Sequence, residues 1–108
     1  MSKTISFSHN DKNYTLEFTL RTAGQCEQDG FVFDELGSKP AVMIPLLFHW
    51  AFARHHRGMT KKQTNEIYED MTHKTDLVMA LGEMYAEAVN ALIDTEEEDE
   101  GNANWTLS

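Results

Sequence analysis

Residues 41–53 read AVMIPLLFHWAFA, thirteen positions with one polar side chain, His49. As a helix this run is apolar on every face, and such a helix belongs at a centre. Val42, Met43, Leu46, Leu47, Phe48, Trp50 and Phe52 cover its circumference. Thirteen helical residues reach about 20 Å, short of the roughly 30 Å of a bilayer's hydrocarbon layer. Pro45 and His49 weaken a membrane span further, so the run reads as a buried helix of a soluble protein. A small domain has little material with which to cover such a helix. Two outcomes stay open: its neighbours cover it, or part of it meets a partner or a second copy.

The chain has 108 residues, enough for one domain, and its 11 aromatic residues can anchor a core. Its net charge of −9 is unevenly placed: residues 94–100, DTEEEDE, hold six acids and no base. With those six set aside, twelve acids face nine bases, a net of −3. A chain of this sign repels phosphate backbones and anionic lipid, so neither nucleic acid nor membrane is an expected partner. Cys26 is the single cysteine, which excludes an internal disulfide and fits a reducing cytoplasm. The N-terminal stretch has no apolar segment of the secretory type.

The pattern predicts an α+β fold, mainly helical. A β-hairpin is expected over 3–20, where Ile5 and Phe7, then Tyr14, Leu16, Phe18 and Leu20, alternate with polar residues across an NDKN loop at 10–13. A hairpin alone is marginal, so it must pack on helices. Helices are expected at about 22–29, 40–57, 61–71 and 76–93. Thr22 caps the first and Gly30 stops it. Ser38 and Pro40 open the second, which Pro45 kinks or restarts, and Arg54, His55, His56 and Arg57 form its basic last turn. Thr60 and Gln63 make a capping box for the third, with Thr64, Ile67, Tyr68 and Met71 inward. Leu77, Leu81, Met84, Ala88 and Leu92 line the fourth. Residues 1–93 thus read as one domain, and 94–108 as a disordered acidic tail.

Catalytic signatures are missing. The sequence holds no P-loop, G-x-G-x-x-G, H-E-x-x-H or C-x-x-C. His49 and His56 are seven apart, two turns along a helix, too far to share a metal unaided. His55 and His56 are adjacent and would point about 100° apart. Cys26 has no nucleophile signature around it, and acid pairs such as Asp34–Glu35 read as solvated surface. The chain is therefore expected not to be an enzyme, with no catalytic residue, metal or cofactor. Six methionines fill a core or make an adaptable binding surface. Met43, Leu47, Trp50 and Phe52 are the candidate partner-binding residues, with Trp105 a candidate peptide anchor beyond the acidic run.

The string YTLEFTLRTAGQCEQDGFVFDELGSKPAVMIPLLFHWAFARHH, with EIYEDM and LVMALGEMYAEAVNALID after it, resembles the tail assembly chaperones of long-tailed bacteriophages, in the form found in phages and prophages of Gram-positive bacteria. The resemblance covers roughly residues 3–94. It implies a non-enzymatic protein of the host cytoplasm, not carried in the mature virion. Such a protein coats the tape measure protein and helps recruit the tail tube (major tail) protein; self-association is left open by the apolar run alone. It also implies that a frameshifted longer form can begin near the acidic tail. Two alternatives remain: an acidic inhibitor that mimics nucleic acid toward a host factor, and a structural tail component.

Overall fold

In the computed structural model, residues 3–92 are described. Strands β1 (Ile5–His9) and β2 (Lys12–Leu16) pair antiparallel, Ile5 opposite Leu16, Phe7 opposite Tyr14 and His9 opposite Lys12. The turn is Asn10–Asp11 alone, with φ of 52° and 68°. Two positive φ values suit a type I′ turn, whose twist matches the strands, and Asn and Asp tolerate them. The loop is thus shorter than the expected 10–13, and Lys12 and Asn13 are already strand.

The second strand also stops sooner than alternation suggested. After Leu16 the chain leaves β1, and the Glu17 N–H donates to the Ala51 carbonyl at 3.0 Å. Phe18 is buried off the ladder, whereas Leu20 is exposed on a helix. That helix, α1 (Leu20–Gln28), is capped by Thr19 rather than Thr22. Thr19 Oγ1 accepts from the Thr22 N–H at 3.1 Å, and Thr22 Oγ1 accepts from the Thr19 N–H at 3.0 Å. This reciprocal box satisfies two amides where a cap at Thr22 would satisfy one. Gly30, at φ 111°, ends α1 as expected. The Phe31 N–H reaches the Cys26 carbonyl and the Gly30 N–H the Glu27 carbonyl, a Schellman motif that turns Phe31 into the core.

A connector with one 3₁₀ turn, Phe33–Glu35, leads to α2 (Pro40–Ala51). Pro40 occupies its first turn, and the helix passes through Pro45 without restarting. It ends at Ala51, six residues before the expected 57. The Ala51 carbonyl, which a longer helix would offer to His55, is taken by Glu17, and the His55 and His56 amides fold back to the Phe52 carbonyl. Residues 54–57 therefore form a turn ahead of Gly58 (φ 85°), not a helix end complementing a dipole.

Helix α3 (Lys61–Glu69) carries the expected Thr60–Gln63 capping box and buries Thr64 and Ile67. Helix α4 (Lys74–Asn90) starts two residues before the expected 76, from His73 in the left-handed region, and buries Leu77, Leu81, Met84 and Tyr85. Leu92, placed on the inner stripe by its spacing, lies past the helix end and is exposed.

Helix α2 is the hub, with α1, α3 and α4 packed around it. Phe7 and Tyr14 of the hairpin close its C-terminal end, their rings 6.2 and 5.6 Å from Phe52. The neighbours thus cover most of the apolar run and leave Val42 exposed near its start. This overturns three proposed surface residues: Met43, Leu47 and Phe52 are at most 5% exposed and belong to the core. Trp50 is half-buried, and Trp105 lies outside the described residues, as does the expected disordered tail.

Candidate functional site

A cleft of about 470 Å³ lies between the start of α1, the end of α2 and the 53–59 turn. Arg21 enters it from α1, His49 and Trp50 from α2, and Arg54, His56 and Arg57 from the turn. Among the described residues, no carboxylate lines it. Among the described residues, none of the three arginines has an ion-pair partner. In a chain with twice as many acids as bases, this is a concentrated positive patch.

The floor is held from three helices. The Trp50 indole N–H donates to Asp29 Oδ2 at 2.9 Å, and Lys61 Nζ meets the same oxygen at 2.8 Å. Asp29 caps α1, so this contact ties α1, α2 and α3 together. Lys61, then the Trp50 donor, hold its carboxyl below the usual range. The Thr64 hydroxyl donates to the Lys61 carbonyl at 3.2 Å, which leaves it to accept from His49 Nδ1 at 3.0 Å. His56 Nε2 lies 2.9 Å from the Thr15 N–H. An amide only donates, so that nitrogen is bare and the ring is neutral. Burial pushes the pKa of His49 and His56 down, helped by Lys61 for the first and His55 for the second. The charge of the cleft therefore comes from its arginines.

A second surface lies around the connector. Val32, Phe33, Val42 and Met79 are all more than 40% exposed. The Val32 N–H points at Met43 Sδ (3.2 Å), next to Val42 in the first turn of α2. The Phe33 ring stacks on Tyr85, 5.6 Å between centroids, and lies over Gly82 of α4. Met79 is one turn before Gly82 on α4.

Sequence reasoning missed both surfaces. Arg54 and Arg57 read in the sequence as the last turn of a helix that in fact stops at Ala51, and Arg21 carries no local signal. Met79 was legible, because it falls off the Leu77–Leu81–Met84 stripe. Cys26 is fully buried, its thiol 3.7 Å from the Leu46 carbonyl. Among the described residues, no group of three or more His, Cys, Asp or Glu side chains is placed to hold a metal. No helix among them is long and apolar enough to cross a membrane.

Residues 1–108, the whole sequence, match the family model described as "Domain of unknown function (DUF5055)". The chain belongs to this family. No curated protein and no solved structure matches the DUF5055 chain.

Proposed function

We propose that this DUF5055 chain is a tail assembly chaperone of a long-tailed phage, which holds the tape measure protein soluble in the host cytoplasm and helps recruit tail tube subunits. The sequence resemblance over residues 3–94 supports the assignment to that process. The structural observation that carries it is the exposed apolar group Val32, Phe33, Val42 and Met79. These side chains come from three separate elements, the connector, α2 and α4. Methionine and phenylalanine on such a surface adapt to varied apolar side chains, as a long helical client requires. Net negative charge keeps a coated complex soluble. Many weak copies along one client bind by avidity and still leave when the tube arrives.

This surface replaces the buried residues Met43, Leu47 and Phe52 as the client site. Its test is the exposed double variant Val42→Asp/Met79→Asp. The variant should fold as the parent does, by circular dichroism and thermal melting. Its capture of tape measure fragments from the same phage should drop at least tenfold. Unchanged capture would remove the surface from the mechanism.

The alternative of a nucleic-acid mimic gains no support from the cleft. A phosphate mimic needs arrayed carboxylates, whereas this concavity is lined with arginine.

A further inference from the structure

We propose that the arginine-lined cleft is the docking site of this chain's own acidic segment, residues 94–100. The cleft presents Arg21, Arg54 and Arg57, and among the described residues it has no carboxylate in its lining and no ion-pair partner for any of the three. The segment supplies six carboxylates in seven positions. Guanidinium groups take carboxylates in paired, charge-assisted hydrogen bonds, which makes arginine the fitting residue for this partner.

The path of the chain brings the two together. Ala91, just past the end of α4, lines a shallow groove with Lys3, Leu20 and Thr19. Thr19 also lines the arginine cleft, and Arg21 follows it by two residues. The groove that holds Ala91 and the arginine cleft thus meet at Thr19. Asp94 is three residues beyond Ala91, and an extended segment of seven residues reaches about 23–25 Å. Thr19, Arg54 and Arg57 line the same cleft, so a segment of that length is long enough to pass along it.

The sequence distance is short, so the local concentration of the segment is about millimolar. Each exposed ion pair is weak, and occupancy rests on several carboxylates sharing three guanidiniums. An acidic peptide from another protein can enter only by displacing the segment. The cleft is then a self-occupied site whose ligand class is an acidic, extended peptide.

The test uses the full chain, labelled with ¹⁵N. Amide and side-chain resonances of Arg54, Arg57, the Trp50 indole and residues 94–100 are followed in three proteins: the parent, Arg54→Gln/Arg57→Gln, and Glu96→Gln/Glu97→Gln/Glu98→Gln. The cleft variant should shift the resonances of 94–100, and the segment variant should shift those of the cleft. High salt should move the parent toward both variants and leave the variants little changed. The shifts should not depend on protein concentration. Variants that leave the opposite set of resonances in place overturn the proposal. Shifts that vanish on dilution also overturn it, because the occupant is then the segment of a second copy. The substituted residues are all surface groups, and dispersed core resonances in each spectrum verify folding.

Discussion

Cys26 has no exposed surface, and its thiol contacts the Leu46 carbonyl. Burial, with Asp29 and Glu27 nearby, pushes the thiol pKa up to about 12. Thiolate is therefore scarce at neutral pH, and a thiol reagent should label the native chain slowly and the denatured chain at once. Rapid native labelling would contradict the buried assignment. The histidines give a pH prediction. His49 and His56 both have folded pKa values below the ordinary 6.5. Between the folded value and 6.5 the unfolded chain binds more protons, so their contribution is complete above about 6.5 and is lost as pH falls below it. The denaturation midpoint should drop between pH 7 and pH 5. His56→Gln, which can still accept from the Thr15 amide but cannot titrate, should make the drop smaller. A midpoint that rises in acid would contradict this. These residue-level properties had little signal in the sequence. His56 is neutral because Thr15, 41 positions away, donates to it, and nothing local announces that pairing.

Capping decides where the helices begin. The box at Thr60 and Gln63 and the Gly30 stop were legible because each depends on a few neighbouring residues. The box at Thr19 and Thr22 is equally local, but strand alternation through Phe18 and Leu20 masked it. The end of α2 was not legible at all, since a long-range bond from Glu17 terminates it. Thr60→Ala should cost about 1 kcal/mol of stability, the usual loss of an N-cap. Gly30→Ala places a Cβ at φ 111° and should cost about 1–2 kcal/mol, with Leu46 the nearest side chain. Denaturant titration checks both. In α2, Leu47→Ala removes a side chain with no exposure and should cost about 2–5 kcal/mol. The loss should appear in folding stability, because Leu47 lies beneath the surface that a client would touch. If the variant keeps its stability and loses its client, the core placement is wrong.

At the scale of the molecule, the apolar run at 41–53 did announce the centre of the fold, and hydropathy alone located it. What it did not announce was how much of that run its neighbours cover, with Met43, Leu47 and Phe52 buried and Val42 exposed. Three helices and a hairpin pack around α2, and of the exposed apolar residues Val32 and Phe33 lie on the connector, Val42 on α2 and Met79 on α4. Charge divides likewise: arginines gather in one cleft while six acids sit together beyond α4. The candidate surfaces emerge from packing, which no local pattern encodes. The central claim, capture of an aggregation-prone tail client, is tested most directly by co-expression with the tape measure protein of the same phage. The account predicts that the client becomes soluble and elutes together with this chain. A client that stays insoluble in the presence of this chain would contradict it.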